Sequence, residues 1–80
     1  MRVELRLPRY GTSMEEGSIA RWLKSPGDAV HVGDELCEVE TDKVAAVYES
    51  PYAGRLVEIL VSEGDSVPVG EVICTLDTEE

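Results

Sequence analysis

The chain repeats itself after 37 residues, and this repeat limits the folds that it can adopt. Residues 17–41 align on residues 54–78 with about two positions in five identical. The coinciding positions are turn residues and apolar residues that we expect to face inward, namely Gly17 and Gly54, Gly27-Asp28 and Gly64-Asp65, Val30 and Val67, Val32 and Val69, Gly33 and Gly70, and Cys37 and Cys74. Two short copies are too few for a stacked solenoid. The repeat therefore predicts two similar halves packed about an approximate two-fold axis, with residues 42–53 joining them.

Short apolar runs within and around the two copies are typical of β-strands. They are rich in β-branched and large apolar residues, show no helical stripe, and end at glycine or proline within a few residues. The clearest runs are "VELRL" (3–7), "SIARWLK" (18–24), "VAAVYES" (44–50) and "RLVEILV" (55–61). Counting about eight short strands separated by close turns, we predict an all-β fold with little or no helix. Its architecture would be a flattened antiparallel barrel or sandwich of two roughly four-stranded sheets.

Length and charge exclude several classes of protein. The 80 residues allow one domain, 1–80, with residues 78–80 as the start of a linker. Seventeen acidic residues against seven basic ones give a formal net charge of −10, which repels nucleic acid and anionic membrane surfaces. The N-terminal "MRVELRL" has neither the apolar core of a signal peptide nor the acid-free bias of a transit peptide. We expect no nucleic acid partner, no membrane association and a monomeric isolated domain.

The two cysteines do not form a recognisable metal motif. Cys37 and Cys74 lie far apart in sequence, and His31 is the single histidine that could join them as a ligand. Two small buried thiols are the favoured interpretation, with a disulfide left open. Reduced thiols fit a cytoplasmic location, which is what we expect.

A lysine interrupts the β pattern at the middle of the chain, in "VETDKVAAV" (39–47). Residues 36–41 and 44–49 each have the pattern of a strand, so Thr41-Asp42-Lys43-Val44 would form a tight turn in a hairpin near 40–45. Lys43 would then stand at the hairpin tip with its amine in water. An arbitrary charged residue at such a tip is most often only solvated.

Other polar residues have simple structural interpretations. Trp22 is expected to fill the core or cover one sheet face, and His31 to be an exposed strand residue. The hydroxyl residues Ser13, Ser18, Ser25 and Thr41 have no triad partners in sequence. Glu15 and Glu16 would solvate a loop. The sequence thus indicates no catalytic site of its own.

Nearly all 80 residues resemble the lipoyl domain of the dihydrolipoyl acyltransferases in 2-oxo acid dehydrogenase complexes. The matching segments are "LPRYGTSMEEGSI" (7–19), "WLKSPGDAVHVGDELCEVETDKV" (22–44), "SPYAG" (50–54) and "EGDSVPVGEVICTLDT" (63–78). The resemblance implies the lipoyl and biotinyl attachment fold, with lipoate on Lys43 as N6-lipoyllysine. Val44 stands where the family often has alanine, a variation that leaves the assignment of Lys43 intact.

What the resemblance implies is a non-catalytic carrier domain in a dihydrolipoyl acyltransferase chain. The implied partners are a thiamine-diphosphate-dependent 2-oxo acid decarboxylase, the acyltransferase core, dihydrolipoyl dehydrogenase and a lipoate-attaching enzyme. The lipoyl arm would carry acyl groups and reducing equivalents among them. An excised N-terminal domain is the preferred interpretation, and the choice of 2-oxo acid belongs to the decarboxylase, a different chain.

Two alternatives share this architecture. In biotin carrier domains the modified lysine normally lies between methionines, whereas here its neighbours are Asp42 and Val44. An unmodified interaction domain would usually carry a long helical insertion or lack the tip lysine. Neither description fits this chain, so the sequence favours lipoate.

Overall fold

The residues that the structure describes form eight antiparallel β-strands. A computed structural model describes residues 1–42 and 44–78, and the strands within them are Arg2–Arg6 (β1), Glu16–Trp22 (β2), Ala29–Val30 (β3), Glu35–Glu40 (β4), Ala45–Glu49 (β5), Gly54–Ile59 (β6), Ser66–Pro68 (β7) and Val72–Asp77 (β8). The described residues contain no helix, and so none long and apolar enough to cross a membrane. Lys43 and part of the predicted linker start at 78–80 lie outside the described residues.

Two four-stranded sheets pack face to face. One has the strand order β1-β8-β6-β3 and the other β5-β4-β2-β7, and every pair of neighbours is antiparallel. The molecule measures 35 × 21 × 18 Å along its principal axes, which is a flattened shape. The predicted all-β sandwich of about eight short strands is therefore confirmed.

The sequence repeat recurs in the strands and their turns. A shift of 37 residues carries β4 onto β8 residue for residue, and carries β2 onto β6 and β3 onto β7 with small differences at the ends. The turn glycines also correspond, because Gly27 and Gly64 have φ values of 96° and 91°. Their N–H groups donate to equivalent carbonyls, Gly27 to Leu56 and Gly64 to Ile19, both at 2.7 Å. Glycine adopts this left-handed backbone without the strain a side chain would add.

The structure extends the repeat to a part of the chain where the sequence shows no match. β5 occupies the same place beside β4 that β1 occupies beside β8. Leu7 N donates to Glu71 O at 2.9 Å, and the equivalent Ser50 N donates to Asp34 O at 2.8 Å. Residues 42–53 therefore do join the two copies and contain the strand predicted over 44–50, but β5 is also the structural counterpart of β1, which the sequence did not predict.

The core lies between the sheets and contains both cysteines. Cys37 and Cys74 are fully buried and free, as predicted. The other buried apolar residues are Leu5, Leu7, Met14, Ile19, Val30, Leu36, Val39, Leu56, Val61, Val67, Ile73 and Leu76. Trp22 packs against this core and donates its indole N–H to Val61 O at 2.8 Å, which confirms its structural role.

Two details of the sequence prediction were wrong. Val32 was expected to face inward like Val69, but it is 68% exposed. Val69 is half-buried beside the loop before β2, where Val69 N donates to Glu15 O at 3.0 Å, and the other half of the molecule has only a short turn there. His31 is exposed as predicted, but it follows β3 instead of lying in it.

Candidate functional site

The turn between β4 and β5 is closed by one threonine. Glu40 and Ala45 form the last pair of the β4–β5 ladder. Beyond this pair, Thr41 N donates to Val44 O at 2.8 Å. The Thr41 hydroxyl also donates to Val44 O at 3.2 Å and accepts the Val44 N–H at 3.0 Å. The Asp42-Lys43 dipeptide is thus spanned by three hydrogen bonds.

Local chemistry explains why the sequence turns here. A threonine hydroxyl bonds readily to backbone groups a few residues along the chain, and aspartate favours turns for a similar reason. The β-branched and small residues that follow return the chain to an extended strand. Asp42 and Val44 are both exposed, so the flanks of Lys43 face solvent. Lys43 itself lies outside the described residues, and its place at the tip stays a prediction.

An open groove of about 870 Å³ lies beside this turn. One wall is the turn itself, represented by Glu40, Thr41, Asp42 and Val44, and the other is the loop that leads into β2. The predicted site residue therefore sits, in sequence, between two residues that line the groove. A protein that approached the turn would meet the loop as well.

The groove loop, residues 9–15, has its own internal support. Met14 is buried, Met14 N donates to Gly11 O at 3.1 Å, and Tyr10 N lies 3.1 Å from the Met14 sulfur. The half-buried Tyr10 ring packs against the core, and burial raises the pKa of Tyr10 to about 12. Its hydroxyl has no hydrogen-bond partner among the described residues. The loop is anchored at Tyr10 and Met14, and its remaining side chains stay on the surface.

The groove is negatively charged. Its described lining carries the exposed carboxylates of Glu15, Glu16, Glu40 and Asp42 and no basic side chain. Glu15 and Glu16 are both exposed to solvent, as predicted, but Glu16 is the first residue of β2 and not part of the loop, and both side chains line the groove. These carboxylates surround the turn with negative charge, which a basic surface on a partner protein would complement.

The part of the groove that the structure describes lacks the groups that nucleophilic catalysis needs. Ser13, Ser18 and Thr41 line it, but its described lining contains no histidine or cysteine. Ser25 lies elsewhere, where its backbone N–H donates to Asp28 Oδ2 at 2.8 Å. No group of three histidine, cysteine, aspartate or glutamate side chains within residues 1–42 and 44–78 is arranged to hold a metal ion. The arrangement supports presentation of the turn to a partner.

The surroundings of the turn fit covalent attachment of a carrier group. The flanking residues are exposed, the hairpin is closed by hydrogen bonds, and the neighbouring groove is open to solvent. The sequence placed Thr41 in the turn and indicated no triad partner for its hydroxyl, but it did not predict that this hydroxyl closes the turn. The signal that could have found it is a threonine four residues before the start of a strand, where side-chain bonds to the backbone are common.

Comparisons with known proteins agree with the geometry. The family described as "Biotin-requiring enzyme", which covers biotin and lipoyl attachment, matches residues 3–76. The dihydrolipoyllysine-residue acetyltransferase component of the pyruvate dehydrogenase complex of Corynebacterium glutamicum is 48% identical over 56 residues. The dihydrolipoyllysine-residue succinyltransferase component of the 2-oxoglutarate dehydrogenase complex of Bartonella vinsonii is 44% identical over 59 residues.

These two relatives are much longer than the chain. The matches cover 70% and 74% of this chain but only 8% and 14% of the relatives. Among solved structures, the lipoyl domain of the 2-oxoglutarate dehydrogenase complex from Azotobacter vinelandii is similar over 94% of this chain and 95% of that one. Its TM-score is 0.76 and its sequence identity 33%. The comparisons confirm the resemblance seen in the sequence.

Proposed function

The chain belongs to the biotin and lipoyl attachment family as a lipoyl carrier domain, and we propose that Lys43 is its single site of lipoylation. The observation that carries the proposal is the β4–β5 turn, in which Thr41 and Val44 are hydrogen-bonded across the Asp42-Lys43 dipeptide. Lipoate, joined to the lysine amine as an amide, would supply a dithiolane that accepts acyl groups and electrons. Asp42 and Val44 in place of methionines favour lipoate over biotin.

In this proposal the protein's own part is to hold the lysine at a firm turn and to offer a surface to partners. Two packed sheets fix the direction of the hairpin, and a tethered arm reaches nearby active sites at a high effective concentration. The acidic groove favours basic docking surfaces, since complementary charge speeds encounter and suppresses wrong partners. No residue of the domain needs to act on the acyl group.

We further propose that the chain is one domain of a dihydrolipoyl acyltransferase in a 2-oxo acid dehydrogenase complex. Its partners would be a thiamine-diphosphate-dependent decarboxylase, the acyltransferase core, dihydrolipoyl dehydrogenase and the lipoate-attaching enzyme. The names of the relatives and the small share of their length that is matched support this assignment. We also propose a cytoplasmic location, which the two free, buried thiols support because the cytoplasm keeps thiols reduced.

Mass spectrometry of the modified protein tests the site. After incubation with a lipoate ligase, lipoate and ATP, the intact mass should increase by one lipoyl group, and Lys43→Arg should abolish the increase while the circular dichroism spectrum stays unchanged. A biotin ligase with biotin should give no increase.

Lys24→Arg is the matched control. The Lys24 amine lies 3.6 Å from Asp34 Oδ2, and its side chain is only 29% exposed. This variant should be modified as fast as the original chain. A lipoyl group on Lys24, or an unmodified protein in the presence of an active ligase, would contradict the assignment.

A further inference from the structure

The Thr41 side chain makes contacts that the established role of a carrier domain does not require. Its hydroxyl donates to Val44 O at 3.2 Å and accepts the Val44 N–H at 3.0 Å, in addition to the backbone bond from Thr41 N. Thr41 is half-buried and lines the groove, while Val44 is exposed. The Thr41 hydroxyl thus bonds both the backbone N–H and the backbone carbonyl of Val44, the residue after Lys43.

The other half of the molecule provides a natural comparison. Thr78, which aligns on Thr41, donates its backbone N–H to Met1 O at 2.6 Å and its hydroxyl to the same oxygen at 3.0 Å. Met1 therefore stands where Val44 stands. The hydroxyl at position 78 forms this contact between chain ends and not across a turn that bears a lysine. The same side chain thus occurs twice, once at the proposed site and once away from it.

We propose that Thr41 is a positioning residue for the modification of Lys43. Its hydroxyl limits the conformations of the Asp42-Lys43 dipeptide, so that the lysine amine is offered to the lipoate-attaching enzyme in one arrangement. This inference rests on the proposed function. An enzyme that accepts only one turn conformation reacts in proportion to the fraction of molecules that adopt it.

The modification itself is an amide condensation. The Lys43 amine forms a C–N bond with the carboxyl carbon of lipoate and gives up a proton. The carboxyl group, activated by the ligase with ATP, loses its leaving group as that bond forms. Thr41 takes no part in these bond changes. Its contribution is to reduce the conformational freedom that the turn must lose before the amine can react.

Three variants separate positioning from general stability. Thr41→Val removes the hydroxyl and keeps the shape, Thr41→Ser keeps the hydroxyl, and Thr78→Val removes the equivalent hydroxyl at the other end. Rates of lipoylation with lipoate ligase, lipoate and ATP would be followed by intact mass. Amide hydrogen exchange at Val44 reports the turn without any need for modification.

We expect Thr41→Val to lower kcat/KM for lipoylation about tenfold, equivalent to about 1.4 kcal/mol, and to speed Val44 amide exchange. Thr41→Ser should stay within about twofold of the original chain in both measurements, because the hydroxyl retains its two bonds. Thr78→Val should leave both unchanged. If Thr41→Val does not fold, Thr41→Ala removes the same hydroxyl with less bulk and takes its place.

The outcomes distinguish this inference from the proposed function. An original chain that is never modified at Lys43 overturns both. Normal modification of the original chain together with normal modification of folded Thr41→Val overturns the positioning role alone. An equal loss of rate in Thr78→Val also overturns it, because the effect would then come from the fold as a whole.

Discussion

At the residue scale, the two cysteines are the ionisable groups that the fold changes most clearly. Cys37 and Cys74 occupy equivalent places on β4 and β8 and have no exposed surface. Burial raises the pKa of each thiol from the ordinary value of 9.0 to about 12, and the neighbouring Cys74 contributes to the shift at Cys37. A low dielectric surrounding disfavours the thiolate. Both cysteines therefore act as small apolar core residues, and neither is primed as a nucleophile.

The raised thiol pKa values predict a loss of stability in alkali. Unfolded thiols ionise near pH 9 while folded ones keep their protons up to about pH 12, so the unfolded state binds fewer protons and gains stability as the pH rises through this range. Once the unfolded thiols are ionised, each should lower the free energy of unfolding by about 1.4 kcal/mol per pH unit. Urea unfolding between pH 8 and pH 10, followed by Trp22 fluorescence, measures the decline.

A double variant, Cys37→Ala with Cys74→Ala, provides the control for the alkaline effect. It should be less stable at neutral pH, because it leaves small cavities in the core, but its stability should decline less steeply between pH 9 and pH 10. Tyr10 and Tyr48, whose pKa values are also raised to about 12 from 10.0, contribute mainly above that window. An equally steep decline in the double variant would show that other groups are responsible.

At the element scale, two equivalent glycines have different surroundings. Gly17 lies in β2 and Gly54 begins β6, one repeat length apart. A Cβ added at Gly54 would press on the backbone of Asp77 and Thr78, with Thr78 Cα at 3.0 Å. A Cβ at Gly17 would meet side chains first, the Met14 methyl at 3.1 Å and a Val39 methyl at 3.2 Å. Side chains can move aside more easily than a paired strand.

This difference predicts unequal effects of the same substitution. Gly54→Ala should destabilise the fold by about 3 kcal/mol, because β6 and β8 must separate, whereas Gly17→Ala should cost about 1 kcal/mol as Met14 shifts. The measurement is the urea midpoint of each variant at neutral pH. Gly11→Ala is a matched control, since nothing lies within 4 Å of its added Cβ. Equal losses at positions 17 and 54 would contradict this account of the packing.

The elements also show how far the sequence alone could lead. Identical residues at Gly27, Gly64, Cys37 and Cys74 reveal the repeat because turns and core positions tolerate few alternatives. The equivalence of β1 and β5 is invisible, because "MRVELRLP" and "VAAVYESP" share only the final proline. Edge strands need only an extended backbone and one buried face, which many sequences satisfy. Val32 is exposed because only a short turn precedes β6, whereas the longer loop before β2 lies beside Val69, and the local sequence pattern carries no information about this difference.

The candidate site was predictable only in part. The tight turn follows from residue type, since Asp42 lies between two strand patterns. Lys43 was selected by resemblance, because an exposed turn lysine has no physical feature that separates a modified residue from a solvated one. The three hydrogen bonds between Thr41 and Val44 are seen only in the folded structure, because residue type alone does not determine which backbone groups a threonine hydroxyl will bond.

At the scale of the whole molecule, the chain ends meet as the two sides of the β4–β5 turn do. Thr78 N donates to Met1 O at 2.6 Å, and the Met1 amine donates to Thr78 O at 2.7 Å. In the β4–β5 turn, two residues separate Thr41 from Val44. If residue 80 were joined to residue 1, two residues would likewise separate Thr78 from Met1. The fold is thus a nearly closed arrangement of two halves. Residues 1 and 78 are adjacent in one half just as residues 44 and 41 are adjacent in the other.

This symmetry predicts that a circular permutant will fold. The permutant joins residue 80 to residue 1 and opens the chain in the groove loop between Gly11 and Thr12, where an added Cβ at Gly11 would meet nothing within 4 Å. The new link has the length that the Thr41–Val44 turn already shows to be sufficient, and the lost ion pair of the Met1 amine with Asp77, at 3.4 Å, is exposed and contributes little. We expect a β-type circular dichroism spectrum and a free energy of unfolding within about 1 kcal/mol of the original chain.

The control is a second permutant that omits residues 79 and 80. It has no residues left to form the turn between Thr78 and Met1, and should lose substantially more stability. Equal stability of the two permutants, or an unfolded first permutant, would show that the contact between Thr78 and Met1 is not structurally equivalent to the β4–β5 turn.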